Sequence, residues 1–245
     1  FRAAPELAPQ LRPALPATPS SEAPRNKAVL HFAGRPGALA LGLYAQGTHR
    51  VAGATLRCPR CPAWMEQAAR ALLEAANRLG LEPWDEAEGR GLLRSVLMRG
   101  GRDGERLLCL VTSAAPSEGV LEQLAAAVKA VPVTTAVLNV NAGRTNAILG
   151  EKSRTLFGRG FITASISGLR FRVRPETFLQ INPVMTPKLY ELALDLAQLR
   201  PGDTALDLYC GVGSLTLLAA RRAASVAGVE ISAASIEEAK RNAQE

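Results

Sequence analysis

Residues 205–220 read Ala205-Leu-Asp-Leu-Tyr-Cys-Gly-Val-Gly-Ser-Leu-Thr-Leu-Leu-Ala-Ala220, and Ala227-Gly-Val-Glu-Ile231 stands behind them. The apolar run from Ala205 to Tyr209 predicts a buried strand, and Gly211 with Gly213 predicts a tight turn. Leu215 to Arg222 are good helix formers, so the turn opens a helix. A second apolar run, Ser225 to Glu230, ends in an acid. Strand, glycine loop, helix and strand in this order form the first half of a nucleotide-binding crevice in an α/β sheet. Ligands in such sheets lie beyond the carboxyl ends of the strands, and glycines without Cβ let them approach the backbone. Asp207 lies in the first strand. Glu230 ends the second, 17 residues after Gly213. A carboxylate at that place can accept hydrogen bonds from both hydroxyls of a ribose.

Two kinds of cofactor compete for this loop. A dinucleotide site usually carries a third Gly or Ala where this chain has Thr216, and it binds a pyrophosphate that nothing else here favours. The Asp207-Leu-Tyr-Cys-Gly-Val-Gly213 form instead resembles motif I of the class I S-adenosylmethionine (SAM) methyltransferases. A dinucleotide-dependent oxidoreductase remains the alternative from another class.

The 245 residues suffice for one or two domains, and an apolar content of 47% suffices for a packed core. No run of 18 apolar residues predicts a membrane span, and the first residues lack the pattern of a secretory signal. The 4 cysteines show no disulfide framework, so a cytoplasmic protein is the expectation. The net charge of +7 is unevenly placed. Residues 1–175 hold 23 Lys+Arg against 13 Asp+Glu, a balance of +10, while residues 176–245 hold 6 against 9, a balance of −3. A basic front half on a mildly acidic cofactor half points to a polyanion held by the front, or simply to a solvated basic face. Aromatic residues make up only 4%, so no platform of several stacking rings is evident.

Residues 1–24, rich in Pro and Ala, read as a linker or disordered start. Residues 25–175 read as a central α+β domain with antiparallel pairing. It opens with a hairpin over 28–44 and continues with a strand from Val51 to Leu56. Helices follow over 63–79 and 116–130, and strands over 92–98, 106–112 and 135–140. Arg90, Arg94, Arg99 and Arg102 cluster around one hairpin and would contact phosphates if they share a face. Asn139 to Gly150 reads as a polar, basic turn. Residues 176–245 read as the first part of a SAM-binding, Rossmann-like domain, which gives α/β as the overall class. Cys58-Pro-Arg-Cys61 has the spacing of half a zinc site, a redox pair or a cluster ligand, and equally that of two free thiols at a helix start.

Phe178-Leu-Gln-Ile-Asn182, taken with the glycine loop, resembles the RNA uracil-5-methyltransferases, the 23S rRNA and tRNA m5U enzymes. Gly42-Leu-Tyr44, Gly47-Thr-His-Arg50, Arg57-Cys-Pro59, Gly91-Leu-Leu-Arg94 and Asn141 to Gly150 extend the resemblance over roughly residues 25–245, and the last of these favours the rRNA branch. The resemblance implies that Gln180 contacts the methionine part of SAM, that Tyr209 and Ser214 line the pocket, that Glu230 holds the ribose, and that the central domain over residues 25–175 binds RNA. It implies that Cys58 matches one of four ligands to a 4Fe-4S cluster whose other three would lie before residue 1. Cys61 does not match. The family's nucleophile is a cysteine late in the catalytic domain, beyond Glu245, and Cys210 inside the cofactor loop is not its counterpart. The expectation is therefore a fragment of a SAM-dependent enzyme that methylates uridine C5 in RNA, most closely rRNA. By itself the fragment would fold poorly and methylate nothing. A non-catalytic RNA-binding protein derived from the family is the second reading.

Overall fold

The computed structural model describes residues 25–245 apart from 53–55 and 57, so the expected linker over 1–24 lies outside the described residues. The front of the chain builds one seven-stranded sheet. Its strands are β1 (Lys27–Arg35), β2 (Ala38–Tyr44), β3 (Val51–Ala52), β4 (Leu93–Gly100), β5 (Arg106–Thr112), β6 (Thr135–Val140) and β7 (Lys152–Phe157), in the order β3-β2-β1-β4-β5-β6-β7. The strand expected from Val51 to Leu56 is described only at Val51–Ala52.

Antiparallel pairing was expected throughout this region. The exception is β5 with β6, which run parallel, Leu107 opposite Thr135 and Thr112 opposite Val140. Helix α2 (Glu118–Lys129) makes the crossover between them. A parallel pair needs about a dozen connecting residues, and a helix is the usual way to supply them.

The middle strands are buried on both faces, which is why they read as continuous apolar runs rather than alternating ones. On β5, Leu108 and Leu110 face α1 (Ala63–Arg78) and α2, while Leu107, Cys109 and Val111 face the other way. That other face packs against the back half of the chain: Ile162, Phe171, Leu179, Leu194 and Leu218. This second core therefore joins residues on both sides of position 175. The back half contains the hairpin β8 (Ile162–Ile166) and β9 (Leu169–Val173), helix α3 (Met185–Ala197), and a parallel pair, β10 (Thr204–Leu208) with β11 (Ser225–Val229). Helices α4 (Ser214–Ala219) and α5 (Ala233–Asn242) complete it.

Two of the four clustered arginines have structural roles instead of the phosphate contacts expected of them. Arg94 is 7% exposed and Arg99 only 3%. Arg94 donates to the carbonyls of Asn141 at 2.8 Å and Gly143 at 2.6 Å and pairs with Glu86 at 3.1 Å. Arg99 donates to the Thr177 carbonyl at 2.5 Å, and burial lowers its guanidinium to about 10 against an opposing pull from Glu176. Arg90 and Arg102 are exposed, the latter beside Asp103. Arg99→Met should cost about 1–2 kcal/mol, because a charge-assisted bond is lost while a desolvated charge is removed. If RNA is the polyanion that the basic front implies, the salt dependence of its binding should not change in this variant, and a shallower salt slope would return Arg99 to the phosphate contacts.

Asn139 and Asn141 likewise do not form an open turn. Both are buried, and each holds the 141–150 loop through its amide: Asn139 exchanges bonds with Gly150, and Asn141 donates to Ala147 and Ile148.

Candidate cofactor site

The glycine loop connects β10 to α4 at the carboxyl end of the parallel pair, and β11 lies beside it in register, Asp207 opposite Gly228. The chain turns sharply here. Tyr209, Gly211 and Gly213 all have positive φ, at 63°, 56° and 80°. The two glycines adopt that conformation freely, whereas Tyr209 holds it under strain with its ring 87% exposed. The amide of Cys210 donates to Val229 at 3.0 Å, and that of Gly213 donates to Cys210 at 2.9 Å.

Glu230 closes the site. Its carboxylate accepts the amide of Gly211 at 3.1 Å and that of Ser232 at 2.8 Å, so one acid pins the tip of the glycine loop and the turn into α5. A carboxylate oxygen takes more than one donor, and capacity remains for a ligand hydroxyl. Asp207 is occupied differently: it accepts the Thr216 hydroxyl at 2.5 Å, tying β10 to α4. Ser214 is 7% exposed, and its hydroxyl lies 3.0 Å from that of Tyr190 on α3.

Asp207, Tyr209, Gly211, Gly213, Ser214 and Glu230 thus meet at one loop. Gln180 does not share it. It lines a separate cavity of about 360 Å³ with Arg25, Asn26, Trp64, Arg102 and Arg106, and no residue of the glycine loop lines that cavity. Asn26 clamps its backbone, donating through the side-chain amide to the Gln180 carbonyl at 3.2 Å and through the main chain to Ile181 at 2.8 Å. Asn182, in the same motif, accepts the amides of Val184 and Met185 at 3.1 Å and so starts α3.

Tyr190, Thr216 and Asn242 did not stand out in the sequence. Asn242, 5% exposed, accepts from the Arg172 amide at 2.9 Å and donates to the Val212 carbonyl at 3.0 Å, which joins β9, α5 and the glycine loop. Only Thr216 carried a signal, as a hydroxyl in a place where a dinucleotide loop is small.

None of the four cysteines combines exposure with an activated thiol beside the loop. Cys210 is 8% exposed and its thiol is raised by burial and then by Asp207 and Glu230. Cys109 is fully buried in the second core and raised for the same first reason. Cys58 and Cys61 face each other across a turn closed by the Cys61 amide on the Cys58 carbonyl at 3.0 Å. Burial raises Cys58, but hydrogen bonds from Cys61 and the Arg60 amide, with the Arg25 charge, outweigh it and bring the thiol below its usual value. Burial and the same partnership push Cys61 up to about 11. Among the described residues, no three Cys, His, Asp or Glu side chains gather as metal ligands.

Comparison with known proteins agrees with the loop. Residues 148–245 match the tRNA (uracil-5-)-methyltransferase family. That stretch carries the family's pattern. The chain is 36% identical over 225 residues to an uncharacterized RNA methyltransferase of Halalkalibacterium halodurans, an alignment of 90% of this chain and 48% of the relative. Against counterparts from Bacillus cereus and Listeria monocytogenes the identities are 36% over 227 residues and 33% over 224. The chain therefore spans about half the length of the curated relatives it matches. Its fold is that of the crystal structure of Pyrococcus abyssi tRNA (uracil-54, C5)-methyltransferase in complex with S-adenosyl-L-homocysteine. The TM-score is 0.73 at 21% identity, over 92% of this chain and 53% of the other. The α/β class and the Rossmann-like character of the back half follow from that match.

Proposed function

We propose that the β10–α4–β11 loop binds SAM and that the protein to which this chain belongs methylates C5 of a uridine in RNA, ribosomal RNA foremost. The observation that carries the reading is the Glu230 carboxylate, held at the end of β11 over a loop that has no Cβ at Gly211 or Gly213. Those residues fit a ribose beside an adenine-bearing ligand. When bound, SAM supplies an electrophilic methyl group. Glu230 would orient the ribose, the glycines would admit the ligand to the backbone, and exposed Tyr209 would cover it. Gln180 lines a separate cavity, so its place at the methionine end rests on the family resemblance alone.

Uracil C5 is a weak nucleophile. A thiolate adding at C6 would make C5 an enolate carbon, which would take the methyl group as its bond to the SAM sulfur breaks; a base removing the C5 proton would then expel the thiolate and restore the double bond. Cys210 and Cys109 are too buried for that role, and Cys58 and Cys61 pair with each other rather than with a residue of the loop. The reading therefore requires a cysteine other than these four. It also carries the rRNA branch, a basic front that holds the RNA, and a cytoplasmic place of work. A 4Fe-4S cluster is not supported by the described residues, among which Cys58 alone matches a cluster ligand of the resembling family and no three ligating side chains gather, so no step is assigned to it.

The decisive experiment has two parts. SAM should raise the melting temperature of the protein where NAD does not, and labelled methyl from SAM should appear at uridine C5 in rRNA in preference to tRNA. Stabilisation by NAD alone would support the oxidoreductase. Labelling of tRNA instead would keep the chemistry and replace the substrate.

A further inference from the structure

Two stretches left without a role by the cofactor loop meet at one groove, and a third, the Arg144-Thr-Asn146 turn, borders a smaller cavity that shares Tyr44, His49 and Glu86 with it. The two are Gly42-Leu-Tyr44, through Tyr44, and Gly47-Thr-His-Arg50, through Thr48, His49 and Arg50. The groove encloses about 670 Å³ at the β2–β3 edge of the seven-stranded sheet and is lined by Arg35, Tyr44, His49, Arg50, Trp84 and Arg90, among others. No residue of the β10–α4–β11 loop contributes to it.

Its aromatic groups form a series. His31 stacks on Tyr44 with ring centroids 3.6 Å apart and an interplanar angle of 10°, and exposed His49 tilts against Tyr44 at 5.4 Å. His31 is held by the Ser95 hydroxyl at 2.8 Å. Burial, with help from His49 and against Glu86, lowers it to about 4, so the stack is neutral at physiological pH. Trp84, with Arg94 over its ring at 4.9 Å, forms a further wall, and its buried indole N–H has no acceptor among the described residues.

The charges around these rings divide unequally. Arg35, Arg50 and Arg90 are all exposed. The acids opposite them are largely engaged: Glu86 pairs with Arg94, and Asp85 accepts the amides of Ala87 and Glu88, while the Glu82 carboxylate has no partner among the described residues and can meet a hydroxyl. Arg144 lies outside the groove, its guanidinium so close over Gly89, the neighbour of Arg90, that a Cβ there would sit 1.7 Å from Nη2. Asn146 borders an adjoining small cavity with His31, Tyr44 and His49.

Rings stack bases, and arginine forks match phosphate oxygens. We infer that this groove is a second RNA site, separate from the methyl-transfer loop, which holds one unpaired nucleotide with its base against the Tyr44–His49–Trp84 walls and its phosphate on Arg50 and Arg90. The inference rests on RNA being the substrate. A groove lined by rings favours a single strand over a duplex, whose bases are already stacked and paired.

Fluorescence anisotropy with a short fluorescein-labelled single-stranded RNA tests it, with inorganic polyphosphate as a probe of charge alone. His49→Ala should weaken RNA binding about tenfold and leave polyphosphate unaffected, because only the RNA carries bases. Arg50→Ala should weaken both and reduce the salt slope by about 0.7. Both positions are exposed, so melting temperature and SAM affinity should stay at wild-type values. RNA affinity of the double variant within about twofold of wild type would overturn the groove while leaving RNA as substrate. If the wild-type protein binds SAM but no RNA, the RNA reading falls and takes the groove with it.

Discussion

Replacing Glu230 with alanine in a full-length family protein carrying this sequence is expected to lower SAM affinity by a factor of about ten to a hundred. Loss of a charge-assisted acceptor costs on the order of 1.5–3 kcal/mol. Two effects contribute. The ligand loses a ribose partner, and the loop loses the two tethers from the Gly211 and Ser232 amides that hold it in its binding shape. Glu230→Gln separates them, because it keeps an acceptor oxygen but not the charge or both acceptor oxygens. Titration calorimetry with SAM reads the affinity directly. An unchanged dissociation constant in Glu230→Ala, with melting temperature also unchanged, would remove this acid from the cofactor site.

The loop itself was legible in the sequence because its demands are local. Positive φ at Gly211 and Gly213, an apolar strand before them and an acid at the end of the next strand all lie within one short stretch. Helices α1 and α2 were legible for the same reason, through spacing of their apolar residues. What could not be read depended on partners far along the chain. In β4, Leu93-Arg-Ser-Val-Leu-Met-Arg99 looks like a strand with two outward cations, yet both faces are covered, and the carbonyls that satisfy Arg94 and Arg99 come from Asn141, Gly143 and Thr177. The parallel pairing of β5 with β6 was within reach, since a helix separates the two strands. The ring series at the groove was not: a low aromatic content says nothing about whether Tyr44, His31 and His49 converge.

Glu238 was also silent in the sequence, one acid in the Glu-Glu pair of a polar helix, and it carries the other large expected effect. It is 2% exposed and faces three arginines. Arg174 donates to it at 3.0 Å and Arg241 at 2.9 Å, while Arg172 lies 3.2 Å away as an ion pair without hydrogen-bond geometry. Arg172 also covers the Phe161 ring at 3.9 Å. Glu238→Ala should destabilise the fold by about 3 kcal/mol, the low end for removing one partner of a buried ion pair, because the orphaned arginines lie nearer the surface and can recover water. Glu238→Gln should cost less, since it keeps an acceptor for Arg174. Urea unfolding should show a lower midpoint with an unchanged slope in Glu238→Ala, and a loss below about 1 kcal/mol would reduce the cluster to a surface network of the weak kind. The effect should extend to the cofactor. Glu238 holds α5 against β9, and Asn242 at the end of α5 holds Val212 between the two loop glycines. Loosening that helix should weaken SAM binding without touching any group that meets the ligand, and Asn242→Ala should reproduce the weakening with a smaller loss of stability.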